Sequence, residues 1–228
     1  AMNRILIGAV GCGKTVCATA AIYIAVKNGY QAALMAPTEI LATQHYNDLR
    51  PIFEALGIKS ALLTGSCTAA TKRKIHAAMQ AEDPALRLDV VIGTQALLSD
   101  GAEFIRPGLV ITDEQHRFGV KQRGSLAFKG NSPHTLVMSA TPIPRTLSLI
   151  IYGDLDLSII DELPKGRQKI STYAVDTSYH KRLYDFIKKH LDLSLQAYIV
   201  CPLVDESETA DLTAATEYAK ELSEKELK

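Results

Sequence analysis

The sequence predicts an α/β fold in which a parallel β-sheet is covered by helices on both faces. Short apolar and β-branched runs recur along the chain and alternate with stretches whose apolar residues fall three and four positions apart. The runs are largely apolar, as strands buried on both sides must be. A glycine-rich segment joins the first run to the first helical stretch, so the chain opens as strand, loop and helix.

In chain order the strand runs are RILI (4–7), AALMA (32–36), SALL (60–63), DVVIG (89–93), LVITD (109–113) and TLVMSA (135–140). Helical spacing covers Lys14–Val26 and Glu39–Leu49 between them. Near Asp161 the texture changes to DELPKGRQK, a polar stretch with Pro164 and Gly166 that reads as a linker. The expected organisation is a first domain over 1–163, a linker over 164–170 and a second, partial domain over 171–228. That second part is expected to hold a strand ISTYAV (170–175), a helix HKRLYDFIKKHL (180–191), a strand AYIVC (197–201) and a charged helical tail from Leu212 to Lys228. Two strands and two helices bury too little apolar surface to stand alone, so this piece reads as truncated.

Composition excludes more than it assigns. Lys plus Arg and Asp plus Glu are both 25, so any nucleic-acid surface must come from local clustering and not from bulk charge. Lys72, Arg73 and Lys74 form a basic run of the kind that usually is a solvated face. Cys12, Cys17, Cys67 and Cys201 form neither a CxxC pair nor a cluster with histidine, which argues against zinc and disulfides and fits a reducing compartment. No run approaches the roughly 20 apolar residues of a membrane span, and the expectation is a cytoplasmic protein that does not enter a membrane.

Gly8 to Thr15 reads GAVGCGKT, a full match to G-x-x-x-x-G-K-[ST]. Gly8, Gly11 and Gly13 let the backbone turn tightly and aim successive N–H groups at one point, where the following helix adds partial positive charge. Such a loop binds the phosphates of a nucleotide. Lys14 is expected to reach the β and γ phosphates of ATP, and the Thr15 hydroxyl to ligate Mg2+.

LVITDEQH (109–116) is an apolar run ending in two carboxylates, which puts Asp113 and Glu114 at the carboxyl edge of the sheet. Acids at strand ends are often merely solvated, but the phosphate loop opens at the same edge. Asp113 is then expected to hold the metal, directly or through water, and Glu114 to orient or deprotonate the attacking water. Gln115 and His116 complete a DExH box with them.

APTEILATQH (36–45), LLTGS (62–66), GTQALL (93–98), DEQHRFGVKQR (113–123), SATPIPRT (139–146) and YGDLDLSIIDELPKGR (152–167) are similar, in order and spacing, to the RecG-type DNA helicases of superfamily 2. The resemblance covers nearly the whole chain. It implies a RecA-like P-loop NTPase domain, followed by the beginning of a second RecA-like domain. It also implies an ATP-driven motor, expected to be monomeric, that acts on branched or duplex DNA and remodels stalled forks and recombination junctions. By the same resemblance Pro37, Thr38, Gly93 and Thr94 touch the nucleic-acid backbone, Arg145 supplies a charged phosphate contact, and Ser139, Ala140 and Thr141 couple nucleotide state to DNA grip. Thr38 and Thr94 serve equally well as helix caps.

The transcription-repair coupling factor shares several of these segments and is the competing motor; DEQH in place of DEEH, MAPTEILA and YGDLDLSIIDELPKGR follow the RecG pattern instead. A nucleotide-binding module without productive hydrolysis is the reading from another class, and Glu114 argues against it. RecG-type loops usually read GDVGSGKT, whereas Ala9 and Cys12 stand here, neither replacing a group that must hold phosphate. The family's N-terminal wedge domain and the later motifs of the second domain, including its arginine, have no counterpart in these residues, so the 228-residue chain is expected to bind ATP and hydrolyse it slowly.

Overall fold

The computed structural model describes residues 1–99, 101–113, 133–140, 155–162, 170–201 and 215–226. The chain divides into two compact units, Ala1–Arg167 and Gln168–Lys228.

The first unit is built on a sheet of strands β1 (Asn3–Gly8), β2 (Gln31–Met35), β3 (Ser60–Leu63), β4 (Val90–Gly93), β5 (Pro107–Asp113), β6 (His134–Ser139) and β7 (Asp156–Ile160). Their spatial order is β3-β4-β2-β5-β6-β1-β7, and every adjoining pair is parallel. Helices α1 (Lys14–Lys27), α2 (Glu39–Ala55) and α3 (Ala69–Met79) make the first crossovers. All six apolar runs read from the sequence are strands.

Alternation along each strand divides the core between two faces. Leu6, Leu34, Ile92, Ile111 and Met138 point to one side, where Ala18 and Ile22 of α1 and Leu49 and Phe53 of α2 cover them. Ala33, Met35, Val91 and Val110 point to the other, against Ile75 and Met79 of α3, with Leu97 and Phe104. Helices on both faces are what parallel strands without a polar side require.

Buried Gln31 ties the amino edge of the sheet together. Its Nε2 donates to the carbonyls of Met79 (2.9 Å) and Leu88 (2.8 Å), and its Oε1 accepts from the Arg106 amide at 2.9 Å. A buried amide is tolerated here because its donors and acceptor are used.

Three local expectations are corrected. Helix α2 runs through Pro51 to Ala55 rather than stopping at Leu49. Strand β7 was not among the expected runs; it lies at the sheet edge beside β1, with Ile159 59% exposed, so it lacks the continuous apolar signature of a central strand. The expected strands at 170–175 and 197–201 carry no regular secondary structure, and Tyr173, Val175, Tyr198 and Val200 are all exposed. Strand propensity without a paired neighbour leaves the backbone no ladder to join.

In the second unit, α4 (His180–Asp192) and α5 (Ala215–Glu221) form, the latter continuing into a π-helical turn over Leu222–Glu226. The Tyr184 and Tyr218 hydroxyls hydrogen-bond at 2.6 Å. No described helix is long and apolar enough to cross a membrane.

Candidate nucleotide and magnesium site

Strand β1 delivers the chain to Gly8, and the loop that follows turns back before α1 begins. Gly11 (φ 82°) and Gly13 (φ 98°) are both left-handed, a conformation that costs a residue with a Cβ of the order of 1–2 kcal/mol. The Cys12 amide closes the turn on the Ala9 carbonyl at 3.2 Å. Gly13 is the N-cap of α1, no side chain caps it, and no acid stands in the first turn. The positive end of the helix dipole is therefore left for an anion. The Lys14 ammonium folds over the loop and donates to the carbonyls of Gly8 (2.7 Å) and Ala9 (3.1 Å).

Asp113 is the last residue of β5. Two pairings bring it to the same edge: β5 with β6, Asp113 opposite Met138, and β6 with β1, Ser139 opposite Ile7. A hollow of about 310 Å³ opens there, lined by Val10, Gly11, Gly13, Lys14, Thr15, Asp113 and Ala140. A larger hollow of about 620 Å³, lined in part by Met2, Tyr30, Arg106 and His134, lies at the opposite, amino edge. It has neither the phosphate loop nor a carboxylate, so the smaller one is the candidate site.

The hydroxyl of Thr15 and the carboxylate of Asp113 are hard oxygen donors on one cavity, and they fit magnesium, which takes one or two protein ligands and completes its shell with phosphate oxygens and water. Among the described residues no group of three or more His, Cys, Asp and Glu could hold a metal by itself.

A histidine that sequence reasoning did not single out completes this picture. His45 of α2 lies with Nε2 2.9 Å from Oδ2 of Asp113, and the side chains are 13% and 15% exposed. The two are separated by 68 positions, so no local spacing announces the contact.

Of the residues with an expected backbone-contacting role, Pro37, Thr38, Gly93 and Thr94 gather at the same carboxyl edge, at or just after the ends of β2 and β4. The Thr38 hydroxyl caps α2, accepting from the Leu41 amide at 3.3 Å. Thr94 precedes a 3-10 turn (Gln95–Leu98) without capping it through its side chain, and is buried. At Gly93 a Cβ would lie 2.1 Å from the Leu63 carbonyl oxygen, so only glycine lets β4 pass β3 this closely. The loop after β3 joins this edge: the Ser66 amide donates to Glu39 Oε1 at 3.0 Å, and Lys72 donates to the Gly65 carbonyl at 2.7 Å. Hydrogen bonds from Ser66 hold the Glu39 carboxyl below its ordinary pKa, with a smaller contribution from Lys72. Ser139 is buried at the end of β6, and Ala140 lines the hollow. Glu114, Gln115, His116, Thr141 and Arg145 lie outside the described residues.

The family model for DEAD/DEAH box helicases matches residues 1–150. This chain belongs to the DEAD/DEAH box helicase family. Within that family its resemblance is to RecG, as the motifs led us to expect. The ATP-dependent DNA helicase RecG of Synechocystis sp. is 49% identical over 98% of this chain, and that of Bacillus subtilis 46% identical over 98%. The chain spans 26% and 32% of those two proteins. Among solved structures, RecG bound to a three-way DNA junction superposes with a TM-score of 0.75 at 42% identity, covering 98% of this chain and 28% of that one. The helicase MrfA shares the fold at 20% identity, with a TM-score of 0.68.

Proposed function

We propose that this chain is the ATP-driven motor core of a RecG-type DNA helicase that remodels branched DNA such as stalled forks and recombination junctions. The observation that carries the reading is the single hollow lined by Lys14, Thr15 and Asp113. The RecG relatives, one of them solved on a three-way junction, support DNA with branches as the substrate. Residues 1–163 act as the first RecA-like motor domain, 164–170 as the linker and 171–228 as part of a second.

The mechanism follows from the residues at the edge. The loop amides and the amino end of α1 receive the phosphates, and the Lys14 ammonium leaves the Gly8 and Ala9 carbonyls for the β and γ oxygens. Thr15 and Asp113 would hold Mg2+, which would supply positive charge to the phosphate oxygens. Glu114 orients the attacking water and takes its proton, with Gln115 and His116 beside it in the box. Pro37, Thr38, Gly93, Thr94 and Arg145 contact the DNA backbone, which lets the motor run over any base sequence. Ser139, Ala140 and Thr141 transmit the nucleotide state to that grip. The motor works as a monomer in the cytoplasm.

The test compares the wild type with Lys14→Ala and Glu114→Gln on a three-way junction and on linear duplex, measuring nucleotide affinity and ATP turnover. Junction DNA should stimulate turnover more than duplex. Lys14→Ala should weaken nucleotide binding, while Glu114→Gln should bind and turn over roughly 100-fold or more slowly. Wild-type turnover by Glu114→Gln would refute the assignment.

A further inference from the structure

We infer that His45 is a positioning residue for the metal-holding carboxylate. The inference rests on the reading of Asp113 given above and names a residue that reading did not need.

Asp113 is the final residue of β5, in register with Met138 of β6. A carboxylate there can rotate about two torsions, and each alternative rotamer costs metal affinity. The Nε2–H of His45 donates to Oδ2 at 2.9 Å and removes that freedom. His45 does not line the hollow, whereas Asp113 does. The imidazole therefore approaches from behind the carboxylate, where it can aim the group without touching nucleotide. Ligating carboxylates depend on such outer partners, whose loss typically lowers metal affinity 10- to 100-fold.

The partner is supplied by a helix that is itself anchored at the edge. α2 starts at the Thr38 cap, and its first-turn Glu39 accepts from the Ser66 amide of the loop after β3. From Thr38 to His45 is two turns, roughly 10 Å of helix. α2 thus runs from the residues proposed to meet the DNA backbone to the one that aims Asp113.

The experiment measures the affinity of the chain for a fluorescent ATP analogue across a magnesium titration and again in excess chelator, for wild type, His45→Ala, His45→Gln and Asp113→Asn. Alanine is a good helix former and His45 is partly exposed, so folding should survive, and circular dichroism checks it. His45→Ala should raise the magnesium concentration at half-effect about tenfold and leave affinity in chelator within twofold. Glutamine, which keeps an N–H donor, should restore most of the difference. If Asp113→Asn shifts the magnesium dependence and His45→Ala does not, the role of His45 is overturned and the site reading stands. Equal loss in magnesium and in chelator would make His45 a structural residue only. If Asp113→Asn itself changes nothing, the metal-site reading fails, and this inference with it.

Discussion

The Lys14 ammonium donates to the Gly8 carbonyl at 2.7 Å, so the residue expected to grip phosphate lies folded over the loop that precedes it. The same atom also reaches the Ala9 carbonyl at 3.1 Å. Nucleotide binding exchanges these neutral acceptors for charged ones, a gain of the size of a charge-assisted hydrogen bond. Lys14→Ala should therefore weaken ATP binding roughly 10- to 100-fold while leaving the thermal midpoint nearly unchanged, because the loop carbonyls it releases can be solvated. Isothermal titration together with a melting curve separates the two effects.

Gly93 is fixed by packing before any role in DNA contact is considered. Its added Cβ would sit 2.1 Å from the Leu63 carbonyl, which also accepts the Thr94 amide at 3.2 Å. Gly93→Ala must push β4 away from β3 and should cost about 2 kcal/mol or more. A urea midpoint equal to that of the wild type would show that the strands have room to part.

How much of this was legible in the sequence depends on how local each cause is. The six runs were readable because strands covered on both faces need largely apolar character, and the loop was readable because its glycines and lysine all fall between Gly8 and Thr15. Strand β7 escaped because DLSII belongs to an edge and is half polar. The runs at 170–175 and 197–201 misled because β-branched and aromatic residues report a preference, while a strand also needs a neighbour. His45 could not be found by spacing at all, since its partner is 68 residues away and only the sheet order brings them together.

The Glu39 contact gives a pH dependence with a definite sign. Its carboxyl is held below the ordinary value, chiefly by the Ser66 hydrogen bonds, so its stabilising effect is fully present above the unfolded pKa and is lost as pH falls through the folded one. The Ser66 amide chemical shift should titrate with a midpoint below that of an unperturbed glutamate. In Glu39→Gln that titration should vanish; a midpoint at the ordinary glutamate value in the wild type would contradict the assignment.

Gln31 holds the opposite edge with three hydrogen bonds to Met79, Leu88 and Arg106. Gln31→Leu keeps the volume and strands two carbonyls and an amide, so it should destabilise by roughly 2–4 kcal/mol. Nucleotide affinity should stay at the wild-type level, because the hollow lies at the other end of the strands. Calorimetry reads the first and a binding titration the second.

The most direct measurement is a crystal structure of this chain with magnesium and a non-hydrolysable ATP analogue. The triphosphate should occupy the hollow of about 310 Å³, with Lys14 Nζ moved off Gly8 to within about 3 Å of a β or γ oxygen and the metal about 2.1 Å from the Thr15 hydroxyl. A nucleotide bound elsewhere, with Lys14 still on the Gly8 carbonyl, would contradict the account.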